Sequence, residues 1–367
     1  MAHCPVFGHQ SLRRRLSATW HAGRLPASLL FVGRRGVGKQ RLSLWLGQLL
    51  TCERASTEQL DEPCGTCQQC RYAARGQHPD LHWYFPRPRL KDSDASADDV
   101  KADMADAIAE RMAADGLWAP SLGSDGIHVA TVRALLQQAS GRPAMAARAV
   151  FVVGDAERMV AQEGAEFAAN ALLKLLEEPS SSTTIILTSS EPGALLPTIR
   201  SRVVTLRVPP VGRADVEDFL RDPAVARRLG TATTVDVIDR AGGAIGDLLA
   251  GESTASSFAS ARRLLDHALL PSTPAGAAAR IKAAARQGVS GARGAFTDML
   301  DALTVLLHAR ARELVASGHE PDARRAAIAL MEVEQTKVRA RGNVSPQLLS
   351  AALLGALHRT LHRTLHS

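Results

Sequence analysis

The sequence has few aromatic residues and no long apolar run. Phe, Trp and Tyr together make up 4% of the 367 residues, whereas alanine and leucine are abundant, which favours a helix-rich protein. No apolar stretch reaches the roughly eighteen residues that a transmembrane helix needs, and the first residues lack the apolar run of a signal peptide. We therefore expect a soluble, cytoplasmic chain, and its length predicts two or three domains.

Cysteine is also scarce, and its five occurrences are unevenly placed. In a reducing compartment they argue for a metal site or free thiols rather than disulfides. Four of them form one cluster in the sequence: Cys52, Cys64, Cys67 and Cys70. Two overlapping C-x-x-C steps let thiolates converge on one cation, and four sulfur ligands leave no position for water. The spacing predicts a structural Zn²⁺ site. Redox chemistry at a C-x-x-C pair is the alternative, and Cys4 is interpreted as an ordinary thiol.

The phosphate-loop pattern lacks its last residue. The stretch "GRRGVGKQ" matches G-x-x-x-x-G-K-[ST] up to Gln40, where the pattern requires the hydroxyl that holds Mg²⁺. Residues 28–32 before it predict a buried strand, and residues 41–50 after it predict an amphipathic helix, which is the order that the motif needs. The candidate phosphate-binding residues are Gly33, Gly36, Gly38, Lys39 and Gln40. They predict a phosphate pocket with a defective metal site, with a tight turn before a helix as the alternative.

A glutamate is missing further along the chain. Residues 149–159 predict an apolar strand that leads to Asp155, a candidate carboxylate for orienting Mg²⁺. In nucleotide hydrolases a Glu follows this Asp and polarises the attacking water, but here Ala156 follows it. Glu157 comes one residue later, where we expect the turn to point it elsewhere. A strand end capped by Asp155 is the alternative interpretation.

Predicted strands and helices alternate in the first part of the chain, and helices alone follow. A helix is predicted over residues 167–179 and two strands within 183–208, so the alternation favours a parallel three-layer α/β domain. Amphipathic helices are predicted over residues 293–317 and from the Ser345 cap onward, with Pro346 in the first turn. Their apolar faces indicate packing within the monomer, with an assembly role as a further interpretation.

Charge is unevenly distributed along the sequence. Residues 91–115 contain eight acidic and three basic residues, whereas residues 254–367 contain fifteen basic and eight acidic residues. We interpret the acidic segment, within about residues 89–126, as a surface insertion that is partly helical at its end and otherwise forms a solvated, variable loop. The basic residues near the C-terminus are spread over several helices and are not interleaved with aromatic residues. This favours solvated helix faces over a DNA-binding surface.

Five stretches in this order resemble one known family: "GRLPASLLFVGRRGVGK", the cysteine cluster, "HPDLHW", "NALLKLLEEP" and "TIRSRV". They resemble the bacterial DNA polymerase III clamp loader family of AAA+ proteins, and within it the delta-prime subunits. The resemblance implies a AAA+ domain at residues 1–208 with a zinc module at 52–70, a helical lid at 209–253 and a helical collar at 254–367. It also implies a five-subunit ring with gamma/tau and delta subunits that uses ATP to place the sliding clamp on primed DNA.

The sequence departs from the ATP-hydrolysing members of this family at three positions. Gln40 replaces the Ser or Thr, Ala156 replaces the Glu, and Gly246 stands where the lid supplies an arginine. Each of these groups contributes orders of magnitude in rate. The resemblance therefore implies a subunit of the DNA polymerase III holoenzyme, a DNA-directed DNA polymerase, that lacks its own ATPase activity and binds ATP or ADP weakly.

The family's Ser-Arg-Cys signature is present as Ser201, Arg202 and Val203. In the family this arginine reaches into a neighbour's ATP site, where the guanidinium stabilises charge on the transferred phosphoryl group. Arg202 is therefore the candidate catalytic residue acting in trans, and Arg200 is interpreted as a partner in a structural ion pair. Two other functions remain open: an ATP-hydrolysing gamma/tau-like or other AAA+ subunit, and a zinc-containing DNA-binding protein with a vestigial phosphate loop.

Overall fold

A computed structural model describes residues 5–90, 95–118, 126–159, 172–230, 238, 241–249, 252–287, 293–340 and 345–362. The chain divides into two compact units, Met1–Leu249 and Ala250–Ser367. Cys4 and parts of the acidic segment and of the predicted helix 167–179 lie outside the described residues. No helix in the described part of the chain is both long and apolar enough to cross a bilayer.

The first unit is built on a five-stranded sheet. Its strands are β1 (Ser28–Val32), β2 (Leu81–Tyr84), β3 (Ala149–Val153), β4 (Thr183–Ser189) and β5 (Val204–Arg207). They are all parallel and lie in the order β2-β3-β4-β1-β5. Strands β1, β3 and β4 are continuous runs of residues that are almost all buried, as expected for a parallel sheet with both faces covered. The predicted parallel α/β architecture is confirmed.

Helices of the first unit surround this sheet. They are α1 (Gln10–His21), α2 (Lys39–Thr51), α3 (Glu53–Glu58), α4 (Gln68–Ala74), α5 (Ala97–Ala113), α6 (Val129–Ala139), α7 (172–177), α8 (Pro197–Arg200), α9 (Arg213–Arg221), α10 (Pro223–Leu229) and α11 (Ile245–Leu248). Helix α2 is buried on nearly all sides rather than on one face, because the sheet and α4 both pack against it.

The acidic segment is not a solvated loop where the structure describes it. Ser96 begins α5 with a capping box, and Met104 and Ala107 pack into the core that also contains the sheet. The Arg111 guanidinium lies 3.4 Å from the centroid of the Phe85 ring, so the helix is also held by a cation–π contact. The segment was expected to be helical only at its end; Ala97–Ala113 is helical throughout and is not a solvated loop, because apolar residues recur at helical spacing between the acidic ones.

Two further apolar clusters follow the sheet along the chain. The smaller one joins α9, α10 and α11 and is made by Leu117, Val211, Val216, Phe219, Leu220, Val225, Ala241 and Ile245. The second unit consists of α12 (Glu252–Ala268), α13 (Pro274–Gln287), α14 (Arg293–Ala316), α15 (Glu320–Ala340) and α16 (Pro346–His362). Its own core includes Met299, Leu300 and Leu303 of α14 and Leu353 and Leu357 of α16. The two helices predicted here are confirmed.

Asp80 ties the beginning of β2 to the loop before β3. The side chain is 2% exposed, and its carboxylate accepts backbone N–H bonds from Ala144, Met145 and Ala146 at 2.6 to 2.7 Å. Burial by itself raises the pKa of Asp80, but these three hydrogen bonds and the nearby His78 outweigh it. The pKa of Asp80 is therefore held below its usual value.

We expect Asp80→Asn to lower the free energy of unfolding by about 1 to 3 kcal/mol at neutral pH, because a charged acceptor of three hydrogen bonds is lost. The lowered pKa means that this stabilisation is present above the unfolded-state pKa of about 4 and is lost as the pH falls through the folded-state value. Urea unfolding at several pH values should show the difference from wild type shrinking in acid. Asp98→Asn, at an exposed position of α5, is the control. A difference that does not change with pH would contradict the role assigned to the charge.

Candidate functional site

The phosphate loop, residues 33–38, connects β1 to α2. Gly36 and Gly38 have φ angles of 80° and 93°, in the region that side-chain-bearing residues rarely adopt. Because β1, β3 and β4 are parallel neighbours, their carboxyl ends meet at one edge of the sheet. The loop therefore lies beside Asp155, which follows β3, and Ser190, which follows β4. This edge is where ligands bind in open parallel α/β sheets.

The Lys39 ammonium is directed into the loop itself. Nζ donates to the carbonyl oxygens of Gly33 at 2.8 Å and Arg34 at 2.9 Å, and to Ser190 Oγ at 2.8 Å. An ammonium has three donors, so all of them are used. The residue is 5% exposed; burial lowers the pKa of Lys39, and the negative charge of Asp155 opposes this effect. Lys39 thus closes the loop with bonds that a phosphate would otherwise accept.

Gln40 bridges the loop helix to two other strands. Its Nε2 donates to Asp155 Oδ2 at 3.1 Å, and its Oε1 accepts the Trp83 Nε1–H at 3.1 Å. An indole can only donate, which fixes the amide oxygen toward Trp83 and the amide N–H toward Asp155. A Cβ on Gly154 would lie 2.4 Å from Gln40 Cδ, so only glycine leaves room for this amide. The side chain therefore presents a donor, not a metal ligand, to the carboxylate.

Glu157 lies in the site, contrary to the prediction that the turn would point it elsewhere. The 3₁₀ turn Ala156–Met159 folds it back, so that Oε1 accepts the Ser190 backbone N–H at 3.0 Å. Burial raises the pKa of Glu157 to about 7; Asp155 raises it further, and Lys39 acts in the opposite direction. Its Oε2 is buried without a hydrogen-bond partner in the described part of the chain, which suits a carboxyl group that is partly protonated near neutral pH.

The segment where the family places the lid touches the phosphate loop directly. Backbone N–H of Gly246 donates to the carbonyl oxygen of Gly36 at 2.8 Å, and the Asp247 carboxylate pairs with Arg34 at 2.8 Å. A Cβ at position 246 would lie 3.0 Å from Gly36 Cα. An arginine at this position could not fit without a shift of the loop or of α11.

The four cysteines predicted as ligands converge on one point. Their Sγ atoms all lie within 4.8 Å of one another, and the pairs Cys52–Cys67 and Cys64–Cys70 are both 3.9 Å apart. Four sulfurs around a Zn²⁺ ion with bonds of about 2.3 Å would be about 3.8 Å apart. The cluster could bind a metal ion, and its donor set and spacing are consistent with zinc.

The acid–base properties of the cluster favour a metal over a redox pair. Burial raises the pKa of the Cys70 thiol and of the Cys52 thiol, so both need a cation to become thiolates. At Cys64, burial also acts to raise the pKa, but backbone N–H groups, among them that of Cys67, lower it to about 6. Reactive cysteines are accessible and have lowered pKa values, whereas Cys52 and Cys70 are buried and have raised pKa values.

Arg202 lies in the turn between α8 and β5. Its Nε donates to Glu177 Oε1 at 2.9 Å, and Nη1 donates to the Thr198 carbonyl oxygen at 2.9 Å. The Arg202 side chain is 33% exposed, and Val203 packs against the core behind it. Arg200 is exposed and has no ion pair in the described part of the chain, so the structural ion pair expected there is made by Arg202 instead.

Three contributors to the site were missed by sequence reasoning. Trp83 and Asp247 reach the site from other parts of the chain. Glu157 was predicted to point away from the site but lies in it. Their spacing in the sequence contains no signal, because they meet the loop only through the fold. The one usable hint is chemical: a buried indole N–H and a buried amide both need partners.

Comparisons with known proteins agree on one family. A family model described as DNA polymerase III, delta subunit, matches residues 8–212. The DNA polymerase III subunit delta' of Bacillus subtilis is 30% identical over 57% of this chain and 51% of that protein, and that of Pseudomonas aeruginosa is 33% identical over 52% and 45%. The subunit gamma/tau of Mycobacterium tuberculosis is 31% identical over 54% of this chain and 27% of that protein. The match spans about half the length of these delta' relatives.

Among solved structures, a DNA polymerase III gamma subunit-related protein from Thermotoga maritima covers 95% of this chain at 15% identity, with a TM-score of 0.35. The family match, by contrast, covers more than half of the chain and includes the phosphate loop, the four cysteines and Arg202. The chain therefore belongs to the DNA polymerase III clamp loader family and is delta-prime-like.

Proposed function

We propose that this chain is a clamp loader subunit that does not hydrolyse ATP itself and supplies Arg202 to the ATP site of a neighbouring subunit. Its partners would be the gamma/tau and delta subunits and the sliding clamp, and it would meet primed DNA through the assembled ring in the cytoplasm. The observation that carries the proposal is a contrast within one domain. The phosphate loop is occupied by the chain's own groups, whereas the Arg202 guanidinium lies at the surface.

The proposed domains are a AAA+ domain at residues 1–208, a lid at 209–253 and a collar at 254–367. The apolar clusters support this division in part: the core of residues 254–367 is separate, and a small cluster is centred on residues 211–245 although it also includes Leu117. The strand order supports the assignment of the first domain as AAA+. With β1 beside β4, the loop, Asp155 and Ser190 lie at one edge of the sheet.

The loss of the chain's own ATPase follows from its metal site. Mg²⁺ needs oxygen ligands in near-ideal octahedral geometry, and the Gln40 amide N–H points at the carboxylate that would orient the ion. The loop glycines and Lys39 still provide a phosphate cradle once the lysine exchanges its partners. We therefore propose that ATP or ADP binds weakly and without turnover.

A second candidate function, an ATP-hydrolysing subunit, is favoured by the placement of Glu157 beside the loop. Against it, Glu157 already accepts the Ser190 N–H, and Gln40 and Gly246 stand where the metal-binding hydroxyl and the lid arginine would be needed. A DNA-binding zinc protein is a weaker candidate. The helix at the cysteine cluster, α4, has seven residues and packs against α2, which leaves little of it for a groove of DNA.

We expect the purified chain to hold about one Zn²⁺ ion on the four clustered cysteines. Cys67→Ser should lose the metal and lower the midpoint of thermal unfolding, because a closed metal site contributes its binding free energy to folding. Metal analysis and thermal unfolding measure the two effects. Cys4→Ser is the control and should change neither. Equal, substoichiometric zinc in wild type and Cys67→Ser would contradict the assignment.

The isolated chain should show no steady ATP turnover at the ordinary enzyme rates of about 1 s⁻¹ or more. Gln40→Thr alone should not create an enzyme, because Ala156 and Gly246 remain in place. Phosphate release with ATP and Mg²⁺ is the measurement. Turnover by wild type that disappears in Asp155→Asn would show instead that this site is active.

In the assembled ring, Arg202→Ala should reduce clamp-stimulated ATPase at the one site that it serves by about 10³- to 10⁵-fold. Total turnover would fall in part if the sites act independently and nearly to zero if they are coupled. Folding and zinc content should be almost unchanged, because a surface ion pair such as Arg202–Glu177 contributes only about 0 to 1 kcal/mol. Arg202→Lys should not restore activity, since an ammonium lacks the planar fork of a guanidinium.

Two matched variants separate catalysis from structure. Glu177→Gln removes the ion pair but keeps Arg202, so it should retain the ATPase if Arg202 acts on a neighbour's nucleotide. Arg200→Ala removes an exposed guanidinium two residues away and should also retain it. Equal losses in Glu177→Gln and Arg202→Ala, or full activity of Arg202→Ala rings, would mean that the arginine is purely structural.

A further inference from the structure

The short helix α11 is in direct contact with the phosphate loop. They belong to the same compact unit. The Gly246 N–H donates to the Gly36 carbonyl oxygen at 2.8 Å, and a side chain at position 246 would collide with the Gly36 backbone. The contact therefore joins backbone atoms of α11 to backbone atoms of the loop at Gly36.

Asp247 extends this contact with a negative charge. A Cβ on Gly36 would lie 2.4 Å from Asp247 Oδ1, which places the carboxylate directly against the loop. The other oxygen, Oδ2, lies 2.8 Å from Arg34 Nη2, and the two side chains are only 16% and 23% exposed. The charge of Asp247 also acts on the buried Lys39 ammonium. A carboxylate thus lies in the field of two cations of the loop.

A nucleotide phosphate would need the same environment. It is an anion that binds loop N–H groups and nearby cations, and it would meet a carboxylate of like charge already paired with Arg34. Because Asp247 is part of the same chain, it competes at a high effective concentration and needs no ligand in solution. Nucleotide binding would therefore require α11 to move away from the loop first.

We propose that Gly246 and Asp247 form a latch that holds α11 on the phosphate loop, with the Asp247 carboxylate as an internal competitor of nucleotide phosphates. The proposal rests on the proposed weak nucleotide binding and explains its cause. The measured dissociation constant for nucleotide equals the intrinsic one divided by the fraction of molecules with an open latch. Weakening the latch raises that fraction and tightens binding.

The test is equilibrium binding of a fluorescent ADP, with unlabelled ADP as competitor, to the full chain in the presence of Mg²⁺ and again with a chelator. Asp247→Ala should bind ADP at least about tenfold more tightly than wild type, within the usual range of coupling between two sites. Asp247→Asn, which keeps the size but not the charge, should show a smaller gain. Asp218→Asn, at an exposed acid of α9 that pairs with Arg221, is the matched control and should bind like wild type.

Hydrogen exchange of the wild-type chain provides a measurement that needs no variant. The Gly246 amide should be protected without nucleotide and should lose protection at saturating ADP. ADP binding of equal strength in wild type and folded Asp247→Ala would overturn the proposal, and so would Gly246 protection that saturating ADP leaves unchanged. The assays also distinguish the two proposals: ATP turnover by wild type would overturn the inactive loop, whereas the latch is judged by binding and exchange alone.

Discussion

The burial of the Lys39 ammonium is the constraint on which the geometry of the phosphate loop depends. Removing an ammonium from water costs several kcal/mol unless its donors are satisfied and its charge is balanced. In a loop that holds nucleotide, phosphate oxygens meet both needs. Here two loop carbonyls and Ser190 Oγ accept the three hydrogen bonds, while Asp155 and Asp247 supply negative charge. Groups of the chain itself therefore satisfy the Lys39 ammonium.

Gln40 imposes a second constraint, which acts on the metal position rather than on the phosphate position. Its amide joins α2 to Trp83 of β2 and to Asp155 after β3, so three segments of the domain share one side chain. A hydroxyl would be too short to reach both partners. The same interactions that remove the Mg²⁺ ligand thus fix the edge of the sheet, and the departure from the phosphate-loop pattern has a structural role of its own.

Much of the fold could be predicted from the sequence, because strands such as Ser28–Val32 are apolar runs and the loop between β1 and α2 carries a recognisable glycine pattern. The cysteine cluster was predictable for a similar reason, since its geometry follows from local spacing. Glu157 was misplaced because the 3₁₀ turn that redirects it is set by tertiary contacts. Asp247 was missed because more than two hundred residues separate it from Arg34.

The acidic segment shows that charge composition alone did not predict which residues are buried. Its charge suggested a solvated loop, yet α5 is amphipathic, and Met104 and Ala107 on its buried face join the core that contains the sheet. Composition reports what faces water, whereas packing depends on the few apolar residues between the charges. Helix α5 therefore had to be seen in the fold to be assigned correctly.

The self-contained loop bears on how Arg202 could work. An arginine that acts on a neighbour's nucleotide must be held within a fraction of an ångström of its productive position, which requires a rigid support. Strands β4 and β5, which flank the turn of Arg202, are both paired to β1, and β1 leads directly into the loop. A loop that closed only around a nucleotide would make this support depend on ligand. With Lys39 and Gln40 satisfied by groups of the same chain, this support does not require a bound nucleotide. Under the proposed function, the features that would disable this chain's own ATPase are thus the ones that would suit it to present an arginine to another subunit.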